Sequence, residues 1–147
     1  MRITFKKIMK KLVSIILLIS AVSFAFMFSI KSKTEDSIQF SSKSFDKVLD
    51  QASSSNKLVF IDVSTSWCGY CQKMNADTYT DAEVIRLVNT KFISKSIDAE
   101  KGEGISIASK YKVRGYPTVL ILDSKGKLLK KQVGYLKPNQ LKQFIGK

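Results

Sequence analysis

The 147-residue chain carries 25 Lys plus Arg against 12 Asp plus Glu, a net charge of +13, with 44% apolar residues and no histidine. That length and apolar content suit one packed domain and would crowd two. Without an imidazole base, Ser-His-Asp and Cys-His hydrolases are excluded, and two cysteines without histidine make an unusual ligand set for catalytic zinc.

Five basic residues (Arg2, Lys6, Lys7, Lys10, Lys11) open the chain, followed by a run from Leu12 to Ile30 with no charge, Gly or Pro. A basic flank, an apolar stretch and small residues at Ser23-Phe24-Ala25 form the pattern of an export signal. At about 1.5 Å per residue the same run reaches roughly the hydrocarbon thickness of a bilayer, so an uncleaved anchor is an equal alternative. Residues 1–30 are thus expected to be a signal peptide or membrane anchor that inserts in or crosses the membrane and delivers the rest outside. A buried core helix fits poorly, since such a helix seldom lacks a polar face. The polar stretch 31–39 is expected to be a linker and 40–147 the domain. Past residue 30 there remain 20 basic and 12 acidic residues, net +8. The basic ones are scattered, as at Lys125, Lys127, Lys130 and Lys131, so a solvated surface is expected and no nucleic-acid partner.

Ser44 to Ala52 places Phe45, Val48, Leu49 and Ala52 on one face, predicting a short helix with Ser42 or Ser44 as cap. Leu58 to Val63 is apolar except for Asp62, as in a strand covered on both faces. A helix is expected from Cys68 to about Thr78, then another from Asp81 to Asn89 with Thr80 as a cap. Phe92 to Asp98 alternates as a strand does, and a helix from Ile105 to Tyr111 follows the hinge Gly102, Gly104. Thr118 to Leu122 and Lys127 to Val133, joined by Asp123-Ser124-Lys125-Gly126, predict an antiparallel hairpin. Pro138 opens a last helix with Leu141, Phe144 and Ile145 on one face. Helices between the early strands imply parallel crossovers, and the late hairpin makes the sheet mixed.

Trp67-Cys68-Gly69-Tyr70-Cys71 follows a buried strand and begins a helix. A disulfide closing so small a loop would stabilise the fold by only about 2 kcal/mol, so stapling is a poor reason for it. Unpaired amides and the dipole at a helix N-terminus favour a thiolate at Cys68, the expected nucleophile. Lowering a thiol pKa from about 8.5 to about 7 corresponds to roughly 2 kcal/mol, within reach of such a site. Cys71, one turn on and facing inward, is expected to resolve the mixed disulfide.

From these residues the chain resembles the thioredoxin family, in a branch similar to the C-terminal domain of the bacterial transmembrane disulfide reductase. Four elements carry the likeness: the Trp67-to-Cys71 motif; Asp62 six residues before Cys68; Val113-Arg114-Gly115-Tyr116-Pro117-Thr118; and Gly134 after the last strand, with Asp98 closing the middle one. The segment Met74 to Val84 extends it toward that branch. The resemblance implies an α/β, thioredoxin-like three-layer sandwich whose central mixed sheet is flanked by helices. It implies that Asp62 is a buried acid taking protons from Cys71, with its pKa raised by burial. Pro117 would be cis and face the cysteines, and the Tyr116 backbone would pair with an extended substrate. Trp67 would shield the sulfurs and shape the substrate surface beside Gly69 and Tyr70. Met74 and Tyr79 are expected to be core packing. One departure stands out: Ser94 occupies the position where many thioredoxins hold a lysine near the acid, and Lys95, one residue on, points to the other face.

The expected activity is therefore extracytoplasmic reduction of protein disulfides through a Cys68/Cys71 cycle, with no cofactor beyond that pair and no bound metal. Partners would be protein disulfides of the cell envelope and a membrane reductase supplying electrons. The location would be the periplasm or the outer face of the cytoplasmic membrane. Running the cycle as an isomerase or oxidase, a non-catalytic binding module built on the same groove, and a metal carrier using the two thiolates are the alternatives.

Overall fold

The structure is a computed structural model and describes residues 35–146. The expected export segment, 1–30, and the start of the expected linker lie outside the described residues. Helix α1 (Phe45–Ser55) buries Phe45, Val48 and Ala52, the stripe its spacing predicts, and stops at Asn56, whose left-handed backbone turns its N–H back onto the Ala52 and Ser53 carbonyls. Strand β1 (Leu58–Ser64) is buried along most of its length. Then come α2 (Gly69–Asp77), α3 (Ala82–Lys91), β2 (Phe92–Asp98) and α4 (Glu103–Lys110). The hairpin β3 (Thr118–Leu122) and β4 (Leu128–Val133) precedes α5 (Pro138–Gly146).

The sheet order is β2-β1-β3-β4. β1 and β2 run parallel, as a crossover through α2 and α3 requires, whereas β3 is antiparallel to both β1 and β4. The helix between β2 and β3 therefore does not make a second parallel crossover.

Alternation along the strands sends side chains into two cores. Phe60, Phe92, Val119 and Ile121 pack with Met74, Val84, Val88 and Leu141, covering one face with α2, α3 and α5. Val59, Ile61, Val63, Ile97, Leu120 and Leu122 pack with Val48, Ala52, Ile107 and Ala108, covering the other with α1 and α4. The result is the expected three-layer α/β sandwich. Each fully buried aliphatic or aromatic side chain contributes about 1.5–3 kcal/mol. Phe60 meets the rings of Phe40, Tyr79 and Phe92, so truncating it to alanine is expected to cost about 3–5 kcal/mol.

Three helix starts differ from their sequence expectation. Ser44 makes no side-chain cap; the Phe45 amide donates instead to Glu103 Oε2 at 2.8 Å. Asp81, not Thr80, caps α3, its Oδ1 accepting from the amides of Glu83 and Val84; the Thr80 hydroxyl turns back to the Ala76 carbonyl. Gly104 is not a hinge but lies inside α4, where an added Cβ would collide with the Asp98 backbone carbonyl. Within the stretch expected as a linker, Ile38 is buried against the first core, and the Gln39 amide donates to Asn89 Oδ1 at 2.9 Å.

Candidate active site

β1 carries the chain to Ser64, and the turn that follows is closed by the Cys68 amide donating to the Thr65 carbonyl at 3.2 Å. The Thr65 hydroxyl is buried without a hydrogen-bond partner, a polar gap three residues before the cysteine. Cys68 is extended (φ −77°, ψ 102°) and forms the N-cap of α2, its sulfur accepting from the Cys71 amide at 3.1 Å. That amide is shared with the Cys68 carbonyl, also at 3.1 Å, and its contact with sulfur would favour a negative charge there. Cys68 and Cys71 are joined in a disulfide, S–S 2.06 Å. Both residues are nearly covered, at 6% and 5% exposure, so accessibility does not distinguish them, whereas Cys68 alone of the two stands at the N-cap.

Cys71 and Met74 are the buried residues of α2. Met74 sits in the core that includes Phe60, and Asp62, two residues along β1 from Phe60, points to that same face. The Asp62 carboxylate is buried and accepts one hydrogen bond on each oxygen: from the Tyr79 hydroxyl on Oδ1 and from the Ser96 hydroxyl on Oδ2, both at 2.9 Å. Burial pushes its pKa up from the ordinary carboxylate value, and the bonds from Ser96 and Tyr79 pull against that without cancelling it. Tyr79 is held well above the ordinary phenol value by its own burial, by the Asp62 charge and by the shared bond, so it stays a donor. Tyr79, expected to serve packing alone, thus does more, and Ser96 went unremarked in the sequence. Both were discoverable, because an acid in an otherwise apolar strand must find donors.

Among the described residues no cation joins this cluster. Ser94 is buried on the Asp62 side, and Lys95 points the other way, pairing with Glu103 at 2.8 Å. The strand's alternation thus sends Lys95 to the face away from Asp62, as expected.

The Tyr116-Pro117 bond is cis, and the Gly134 amide donates to the Pro117 carbonyl at 2.7 Å. Gly134 adopts φ +96°, a conformation side chains resist, which suits glycine at this corner. Tyr116 meets Trp67 edge-on, ring centroids 6.0 Å apart. Trp67 is 66% and Tyr70 67% exposed, so both rings lie open at the surface beside the disulfide. The Trp67 indole N–H donates to Glu100 Oε2 at 3.0 Å, a contact the sequence did not signal. Gly69, between them, has open space where a side chain would stand. Asp98, at the end of β2, accepts from the Glu100 amide and pairs with Lys101.

A sandwich of this topology with a disulfide capping the helix after its central strand defines a thioredoxin-like domain of the disulfide-oxidoreductase type. The chain belongs to the thioredoxin-like domain family, whose model matches residues 45–147. It is similar to protein disulfide-isomerase 1 of Dictyostelium discoideum, 30% identical over 109 residues, covering 74% of this chain and 29% of that protein. A solved Bacteroides thetaiotaomicron protein, provisionally assigned as a disulphide-isomerase, aligns with TM-score 0.66 and 37% identity over 74% of this chain and 90% of the other. The C-terminal domain of Neisseria meningitidis DsbD aligns with TM-score 0.57 and 25% identity over 68% of this chain and 90% of the other.

Proposed function

We propose that this chain reduces protein disulfides outside the cytoplasm, cycling Cys68 and Cys71 between dithiol and disulfide. The observation that carries the reading is the disulfide at the start of α2, with the Cys71 amide already directed at the Cys68 sulfur. In the cycle the Cys68 thiolate attacks one sulfur of a substrate disulfide; a new S–S bond forms, the substrate bond breaks, and the first substrate sulfur leaves as a thiolate. Cys71 then gives its proton to Asp62, and its sulfur attacks Cys68, releasing the second substrate sulfur. Two electrons pass to the substrate, and the protein is left as the disulfide, with no other cofactor taking part. The exposed Trp67 and Tyr70, with Tyr116 and cis Pro117, form the surface on which an extended substrate segment would lie.

The export pattern of residues 1–30 and the likeness to a DsbD C-terminal domain support placement in the cell envelope, soluble or tethered, with a membrane reductase as the electron source. Relatives named as disulfide-isomerases favour a second reading, isomerisation by the same pair. The two differ in the reduction potential of the pair, where about 30 mV shifts the balance by about 1.4 kcal/mol.

Insulin reduction tests the first reading. Wild type is expected to accelerate it, Cys68→Ser to abolish it, and Cys71→Ser to accumulate a mixed disulfide. Undiminished turnover by Cys68→Ser would overturn the cycle, and equilibration of wild type with glutathione separates reductase from isomerase.

A further inference from the structure

We infer that the Tyr79 and Ser96 hydroxyls are positioning residues for the exchange reaction, together orienting the Asp62 carboxylate and fixing the pH range in which it accepts a proton. The inference deepens the proposed cycle and rests on the reading of Asp62 as the base for Cys71.

Two independent donors, one per carboxylate oxygen, hold the group from two sides, Tyr79 from the core and Ser96 from the exposed side of β2. They arrive from different elements: Ser96 pairs with Asp62 across the β1–β2 register, while Tyr79 comes from the connection between α2 and α3. Aromatic neighbours set the Tyr79 ring: Phe40 lies edge-on at 5.8 Å and Phe60 at 6.2 Å. Phe40 itself bridges to Ser94 ahead of α1, so the N-terminal edge of the domain helps hold the hydroxyl.

Among the described residues no cation competes with these hydroxyls for the acid. On β2, Ser94 and Ser96 share the Asp62 face and Lys95 leaves it. β3 contributes Val119 opposite Asp62 and carries no titratable residue. On α2, Cys71 is buried beside Met74, Lys73 and Asp77 pair with each other at the exposed surface, and Tyr70 is open to solvent. On α5, the buried residues are Leu141 and Ile145. Lys57, the cation preceding β1, donates to the Asn89 carbonyl. On α3 and in the loop before α5, Arg86 pairs with Glu83, Glu83 with Lys142, and the Tyr135 hydroxyl donates to Asp77, so Tyr79 is the titratable group bonded to the acid among the described residues. Hydrogen bonds to an ionised carboxylate favour that form, so losing one should delay ionisation to higher pH.

The test titrates the Asp62 side-chain carboxyl by 13C NMR in the reduced full-length chain in detergent, alongside the pH profile of mixed-disulfide resolution in single turnover. Tyr79→Phe removes one oxygen and keeps the ring; Ser96→Ala does the same on the other side. Each is expected to move the carboxyl titration and the acidic limb of the profile upward by about one pH unit, slowing resolution about tenfold below the limb and leaving its high-pH plateau unchanged. A purely packing role would lower stability or scale the whole profile without moving its limb. In an Asp62→Asn background neither substitution should move the profile. Superimposable carboxyl titrations for wild type, Tyr79→Phe and Ser96→Ala would overturn the inference, and Ser96→Ala carries the test alone if Tyr79→Phe fails to fold. Shifted titrations in a protein that exchanges no disulfide would instead sink the proposed cycle and leave the network standing.

Discussion

Two carboxylates stand on opposite sides of the same pair of strands, and the sequence separates their fates by one residue. Asp62 lies beneath the disulfide helix with hydroxyl partners, and burial raises its pKa. Glu103, on the other face, meets Lys95 at 2.8 Å and the Phe45 amide at 2.8 Å. Burial pushes Glu103 upward too, but the Lys95 bond, the Phe45 amide and the Lys95 charge outweigh it and hold its pKa below the usual carboxylate value. Ser96 and Lys95 are adjacent in β2, and the pleat sends them to different faces. Lys95 holds α4 and the segment before α1 together, while Asp62 meets only hydroxyl donors among the described residues. A lysine on the Asp62 face would favour its ionised form and weaken it as a proton acceptor near neutral pH.

The widest separation of the two sites is expected from Asp62→Asn. Disulfide exchange should slow about 100-fold, the scale of a lost general base, while the fold should gain stability near neutral pH. The sign follows from the raised pKa. As pH climbs from the ordinary carboxylate value through the raised one, the folded state is charged the cost of ionising a buried group, so wild type loses stability across that window. Asparagine should flatten the slope, as urea melts at stepped pH would report; an unchanged slope would mean that Asp62 is not the group responsible.

Lys95→Met tests the other face. It leaves Glu103 without its cation and the Lys43 carbonyl without its donor. With allowance for the part of Glu103 open to solvent, the expected cost is about 2 kcal/mol. Exchange per folded molecule should stay within about twofold of wild type, because this change does not touch the Asp62 face. A loss of activity larger than the loss of folded protein would show that the faces are coupled.

A smaller effect of opposite pH sense is expected from Glu103→Gln. With a depressed folded pKa, Glu103 contributes stability that is present above the ordinary carboxylate value and fades as pH falls through the lowered one. The variant should be about 1 kcal/mol less stable at neutral pH and equal to wild type in strong acid. Melts that differ equally at both ends would contradict the ion-pair account.

Glu100→Ala should have the smallest effect. It frees the indole of the single tryptophan, which lies beside the disulfide. Reduction of a protein substrate is expected to slow about two- to fivefold, the scale of one partly exposed hydrogen bond, with Trp67 fluorescence becoming more mobile by anisotropy. Unchanged anisotropy would show that the contact does not hold the ring.

Much of this was legible from sequence because the signals were local. The apolar run Leu58 to Val63, the alternation after Phe92, the turn at Asp123 to Gly126 and the Cys68/Cys71 spacing each report on a few neighbouring residues, and each element falls within a few residues of its expected place. The contacts that tune the two carboxylates join distant positions: Tyr79 to Asp62 across 17 residues, Ser96 to Asp62 across 34, and Phe45 to Glu103 across 58. Periodicity tells which face a residue takes, not which polar group it meets there. Parity sufficed to turn Lys95 away from Asp62, and one more step of the same reasoning puts Ser96 beside it. Tyr79 was harder, because its ring serves the core and only its oxygen serves the acid. The early ends of α3 and α4 were misplaced for a related reason: competing caps stood side by side, and a glycine inside a helix reads as a break until the carbonyl pressed against it is known.

The most direct trial is titration of the Cys68 thiol in the folded, reduced protein, followed by thiolate absorbance and by the rate of alkylation at position 68. A sulfur at the N-cap of α2, within reach of the Cys71 amide, should ionise well below the roughly 8.5 of free cysteine and react first. A Cys68 that ionises no earlier than free cysteine, or that resists alkylation while Cys71 reacts, would contradict the assignment of the nucleophile and the exchange cycle built on it.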